Sequence, residues 1–117
     1  MAKALAYIRK DVEVKNNENG ADNWYTEEID ITTPQDIRDY FGIDDVSQIL
    51  IDRWQKMMFY CMDNLGTLGV TGKIEDTEGN LEMFCSPFIL AEGSPNERLV
   101  DITQETIDYF NEHAQLL

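Results

Sequence analysis

Side chains that could do chemistry are few and scattered in this chain. His113 is the only histidine. It falls in the last turn of a C-terminal helix, where a cation complements the negative helix end. Without a second histidine or a nearby cysteine pair it does not mark a zinc site, and a solvated position is expected. Cys61 and Cys85 are the only cysteines. Cys61 sits on an apolar stripe among methionines, and Cys85 alternates with Phe84 in a strand. Both read as small buried hydrophobes, whose thiol pKa rises, the wrong direction for a nucleophile.

Ser47, Ser86 and Ser94 lie outside any nucleophile elbow. Gly66, Gly69 and Gly72 have the wrong spacing for a phosphate loop, and no Gly-Lys-Ser/Thr follows. Asp76, Glu78, Asn80 and Glu82 alternate like calcium ligands, but the sixth loop position, which needs glycine, is Leu81. A tight turn fits that segment better. The sequence therefore predicts no catalytic residue, no metal site and no cofactor, and an enzyme is not expected.

Charge is the unusual property. The 117 residues hold 23 Asp+Glu against 9 Lys+Arg, a net charge of −14. Residues 16–52 and 74–117 each carry ten acids and one base, Arg38 and Arg98 respectively. The remaining segments carry three acids and seven bases. Such a field repels phosphate backbones and anionic membranes and favours basic partners. Direct nucleic-acid binding and membrane association are not expected. Self-repulsion also predicts stability that rises with added salt.

Carboxylates recur at spacings that put them side by side. Glu105, Asp108 and Glu112 follow i, i+3, i+7 on the expected last helix, and Asp36 and Asp39 repeat i, i+3 on an earlier one. Neighbours of that kind are about 5–6 Å apart at Cβ. Glu28 and Asp30 share one face of a strand, and Asp44 and Asp45 precede a further helix. These nine residues are the expected partner-binding face, a row of carboxylates able to imitate a phosphate backbone. The simpler alternative is an acidic face that serves solubility alone.

The elements that must position these residues follow from hydrophobic period. Residues 4–14 alternate, with Ala4, Ala6, Ile8, Val12 and Val14 on one face, as a half-buried strand does. A polar loop at 16–23 leads to a return strand, Trp24 to Ile31. Thr33-Pro34-Gln35-Asp36 opens a short helix with an N-cap, a proline at the first position and an acid at the positive end. Ile37, Tyr40 and Phe41 form its buried stripe, and Gly42 stops it.

A longer helix is expected over 46–65, from the period of Val46, Ile49, Leu50, Trp54, Met57, Met58, Cys61 and Leu65. Ile51, Phe59, Tyr60 and Met62 lie outside that stripe, which suggests a second packing surface and a homo-oligomer. A hairpin around 76–80 joins Gly69–Asp76 to Leu81–Leu90, with Pro87 marking an edge or a bend. A short strand at Leu99–Ile102 precedes a last helix from the Thr103 cap to about Leu116.

Ile29-Asp30-Ile31-Thr32 before Ile37…Tyr40-Phe41 resembles Val100-Asp101-Ile102-Thr103 before Ile107…Tyr109-Phe110. A duplicated ββα unit would produce this, and so would the same local rules acting twice. The expected fold is one α+β domain over 1–117: a mostly antiparallel sheet of four to five strands with two to three helices on one face. Two cysteines, a five-residue apolar N-terminal run and no long apolar segment suggest the cytoplasm, meaning the host cytoplasm for a phage-encoded chain.

Three function classes remain. The first is a non-enzymatic acidic module that binds a basic protein, of the nucleic-acid-mimicking kind seen in anti-restriction and anti-CRISPR inhibitors. The second is a structural or assembly subunit, in a phage or a homo-oligomer. The third is a small-ligand binder using a cleft between sheet and helices.

Overall fold

The computed structural model describes residues 2–9, 24–42, 46–52, 55–61, 71–93 and 98–116. Its larger sheet has the order β2-β1-β7-β4-β3, built from β1 (Ala2–Arg9), β2 (Trp24–Ile31), β3 (Val46–Asp52), β4 (Lys56–Cys61) and β7 (Phe88–Gly93). All neighbours are antiparallel. A two-residue strand, β8 (Leu99–Val100), pairs with β7 beyond the point where β1 leaves it. A smaller antiparallel sheet has the order β6-β5-β9, from β5 (Gly72–Glu75), β6 (Leu81–Phe84) and β9 (Ala114–Leu116). Two helices complete the described part, α1 (Pro34–Phe41) and α2 (Gln104–His113).

The alternating residues of the larger sheet build a core on each of its faces. Tyr7, Met58, Phe88 and Leu90 point to one side, where they meet Ile74 and Phe84 of the smaller sheet and Phe110 of α2. Tyr7 stacks on Phe88 at 4.7 Å, and Phe84 meets Phe88 edge-on at 4.6 Å. Burial pushes the Tyr7 phenol up to about 12. Ala4, Ile31, Met57 and Ile89 point to the other side and receive Ile37 of α1. The helices therefore pack on opposite faces of the larger sheet, not together on one face.

The mostly antiparallel sheet and the α1 segment agree with expectation. Thr33 caps α1 through Asp36 N–H at 3.3 Å, and the Asp36 carboxylate accepts from Thr32 N at 2.7 Å and Thr33 N at 2.9 Å. Gly42 closes the helix at φ +72°, a left-handed conformation that suits glycine. The pairing of β1 with β2 is also as expected, in a register that sets Ala4 against Ile29. The expected part of that first strand beyond residue 9 lies outside the described residues.

The largest correction concerns 46–65. The described part of that segment is a hairpin, β3 and β4, not a helix. Ile49 and Ile51 are buried while Leu50 between them is 40% exposed, a strand period. In β4, Met58 and Tyr60 enter the aromatic core while Met57 and Phe59 join the α1 side. A strand buried on both faces reads as an unbroken apolar run, which also fits a helical stripe. The described residues of this segment contain no such over-apolar helix, and Ile51 and Tyr60 are core residues.

Three smaller corrections follow. The expected strand Leu81–Leu90 divides at Cys85–Pro87, so β6 stays in the smaller sheet and β7 enters the centre of the larger one. The last helix ends at His113, and Ala114–Leu116 form a strand on β5. The two similar Ile…Tyr-Phe segments each give a strand, a threonine cap and a helix, but β2 has eight residues paired with β1 and β8 two residues paired with β7, so the structure does not establish a duplicated unit.

Candidate functional site

Among the described residues, Cys85 and Asp76 make structural hydrogen bonds. Cys61 and Cys85 are both buried and free. The Cys85 thiol donates to the Cys61 carbonyl at 2.9 Å, and burial, with Cys61 beside it, pushes its pKa up to about 11. Such a shift disfavours the thiolate, the nucleophilic form, at neutral pH. His113 is exposed and stacks on Tyr109 at 4.1 Å. The Asp76 carboxylate accepts from its own turn, from Glu78 N at 2.9 Å and Asn80 N at 2.8 Å. Those bonds, with Asn80 foremost, lower its pKa, and Gly79 closes the turn at φ +84°. Among the described residues no group of three or more His, Cys, Asp or Glu is arranged to hold a metal ion.

The carboxylates divide between the two faces. Asp36 and Asp39 ride on α1. The Asp36 carboxyl serves the capping box, which holds its pKa below the usual range through the Thr32 and Thr33 amides, and Asp39 accepts from Gln35 at 2.8 Å. Asp44 and Asp45 lie outside the described residues. Glu28 and Asp30 share the face of Trp24, which belongs to the aromatic core, so they lie on the side of α2. The nine expected residues therefore do not form one surface.

Those on the α2 side do converge, together with acids that sequence reasoning missed. Lys3 pairs with Glu28 at 3.3 Å, and its pKa is raised by that hydrogen bond first, then by the charges of Glu28, Asp101 and Asp30. Lys3 N also donates to Asp101 at 2.9 Å, and Ile102 N donates to the Lys3 carbonyl, which places the start of α2 beside β1. At the other end of the helix, Tyr109 Oη donates to the Glu75 carbonyl at 3.0 Å. Burial chiefly raises the Tyr109 phenol, and the charges of Asp76, Glu75, Asp52 and Glu112 add to it.

Ten helical residues span about 15 Å. Along that length Glu105, Asp108 and Glu112 are exposed, linking the acids around Lys3 to those around Tyr109. The result is a carboxylate track from β2, along α2, to the β5–β6 turn. Lys56 borders its far end, 3.3 Å from Asp52 and 5.7 Å from the Tyr109 ring. Among the described residues only Lys3 and Lys56 form ion pairs, so most of the track carries no internal counter-charge.

One side chain fixes α2 to the larger sheet. Glu92 of β7 accepts from Thr103 Oγ1 at 2.7 Å, from Thr103 N at 3.3 Å and from the Thr106 hydroxyl. Thr103 is the N-cap of α2, and Thr106 is 2% exposed. A carboxylate at the positive helix end is favourable in its own right. Glu92 was not singled out in the sequence, where it lies between the expected strands Leu81–Leu90 and Leu99–Ile102.

A second feature lies on the opposite face. An eight-residue helix is about 12 Å long, too short to cover five strands spaced about 4.8 Å apart. Beside α1 the sheet is left open as a groove of about 710 Å³. The groove is lined by Ile37, Met57, Phe59 and Leu99 among its apolar residues, and by Thr32, Gln48 and Arg98. No helix among the described residues is long and apolar enough to cross a membrane. No protein-family model, curated protein or solved structure matches this chain.

Proposed function

We propose that this chain is a non-enzymatic binding protein that presents its α2 carboxylate track to a basic protein surface, in the manner of a nucleic-acid mimic. One observation carries the reading: exposed acids at Glu28, Asp30, Asp101, Glu105, Asp108 and Glu112 follow one another along one edge, and among the described residues Lys3 is the cation paired there. Helical neighbours about 5–6 Å apart at Cβ repel one another, which costs the free protein a few tenths of a kcal/mol per pair. A basic partner relieves that repulsion and gains charge-assisted hydrogen bonds. Such a partner would be a protein whose own groove binds DNA or RNA.

The test uses immobilised protein and the heparin-binding fraction of the proteins of its native cell. A retained protein should be displaced by duplex DNA and by about 1 M salt, where the screening length falls to roughly 3 Å. Glu105→Lys/Asp108→Lys/Glu112→Lys should abolish capture. Glu27→Lys/Asp39→Lys, two charge reversals on the α1 side against three on the track, should preserve it. Capture indifferent to the track variant, or to salt, rejects the reading.

A further inference from the structure

We propose that the groove beside α1 binds a small molecule with an apolar body and one anionic group, the anion held by Arg98. This site is independent of the acidic track and lies on the other face of the larger sheet. Three observations converge. The volume of about 710 Å³ falls within the range of roughly 300–1,000 Å³ typical of small-molecule sites. Its lining is mainly apolar, with Met57, Phe59, Ile37 and Leu99 in it, and its polar members are Thr32, Gln48 and Arg98. Arg98 in that lining has no carboxylate partner among the described residues.

The third point is the informative one. Acids outnumber bases by more than two to one, and 74–117 holds ten acids with Arg98 as its single base. Among the described residues Arg98 shares its lack of an ion pair with Arg9, Arg38 and Lys73; what sets it apart is its place as the one charged side chain lining the groove. A guanidinium left unpaired beside an apolar concavity offers planar, bidentate recognition to a carboxylate. The overall charge of −14 repels anions in general. An anion that binds here must therefore be recognised locally, and a purely apolar site would favour the neutral analogue.

Decanoate and decanol, two probes with the same chain length, separate these cases. Binding is followed by NMR of the methionine methyl groups. Met57 reports the groove, while Met83, 53% exposed on the smaller sheet, reports non-specific contact. Decanoate should shift Met57 and leave Met83 unmoved, with an affinity about tenfold above that of decanol, the scale of one partly exposed charge-assisted contact. Arg98→Gln should reduce decanoate to the affinity of decanol. Arg98 is exposed, so the fold should survive the change, which an unaltered methyl spectrum of the free variant verifies. The proposal is overturned if neither probe moves Met57, if decanol binds as tightly as decanoate, if Arg98→Gln leaves decanoate unaffected, or if Met83 responds equally.

Discussion

Replacing Glu92 with alanine should release α2 from the larger sheet. The Glu92 carboxylate accepts three hydrogen bonds from the start of that helix, two from Thr103 and one from Thr106. Hydrogen bonds to charged groups are worth roughly 1.5–3 kcal/mol each when well enclosed. Thr103 is exposed, so its two bonds count at or below the low end. Thr106 is 2% exposed, and loss of Glu92 leaves its hydroxyl only the 3.5 Å bond with Thr103 Oγ1, which adds a desolvation cost of up to about 1–3 kcal/mol. Together these give about 2–4 kcal/mol for Glu92→Ala. At about 4 °C per kcal/mol for a domain of this size, Tm falls by roughly 8–16 °C. Glu92→Gln keeps an acceptor oxygen and should cost about 1 kcal/mol. Urea denaturation gives the stabilities, and amide hydrogen exchange should show the loss centred on 104–113. The sharper test is the cycle with Thr106→Val, because valine leaves no hydroxyl to strand. A coupling of at least about 1 kcal/mol is expected between positions 92 and 106. Additive single variants, or a Glu92→Ala protein within about 0.5 kcal/mol of the parent, would refute the anchoring role.

Further outcomes follow from the same structure. A Cβ at Gly72 would lie 2.5 Å from the ring of fully buried Phe84, so Gly72→Ala should cost about 1–3 kcal/mol by overpacking, and trimming the ring with Phe84→Leu should cost less in that background than alone. Asp36 and Asp76 both hold depressed pKa values in the fold, so their stabilisation is complete above about pH 4 and is lost as pH falls through the folded values. Above that range, falling pH relieves the repulsion of a −14 chain, so Tm should rise from pH 7 to about pH 5 and drop below about pH 4. A Tm that falls steadily from pH 7 downward would contradict this, and Asp36→Asn should flatten the acid limb. With Cys85 pushed up to about 11 and both thiols buried, neither should react with a thiol reagent at pH 8 until the protein unfolds; prompt native labelling would refute the packing around the Cys61 carbonyl.

Local chemistry was legible in the sequence where one segment determines its own structure. The α1 cap, its proline and the Gly42 stop are contacts within ten residues, and each is present. The 76–80 turn, with Asp76 bonding forward and Gly79 at positive φ, is equally local. The β3–β4 hairpin was not legible, because residues 52–55 contain no glycine, proline or asparagine to mark a turn. Its strands are also buried in ways that mimic a helical stripe. Ala114–Leu116 continue the period of α2 in sequence and become a strand only because β5 offers an edge.

The candidate site shows the same division. Glu105, Asp108 and Glu112 are neighbours by helical spacing alone, and the helix exists. Their continuity with Glu28, Asp30 and Asp101 depends on α2 starting beside Lys3, a contact between residues 98 positions apart. The separation of Asp36 and Asp39 onto the other face depends on which side of the larger sheet α1 docks, and strand alternation leaves that open. Likewise Glu92 gains its role only when β7 is brought under the N-terminus of α2. Long-range pairing decides these placements, and a single chain read by period does not encode it visibly.

The central claim is that contact runs through the α2 carboxylates. It is tested most directly by measuring the affinity of the captured basic partner for the parent chain and for Glu105→Lys/Asp108→Lys/Glu112→Lys across a salt series. The parent should weaken steeply with salt, and the variant should bind so weakly that little salt dependence remains. Equal affinities and parallel salt curves for the two proteins would contradict it.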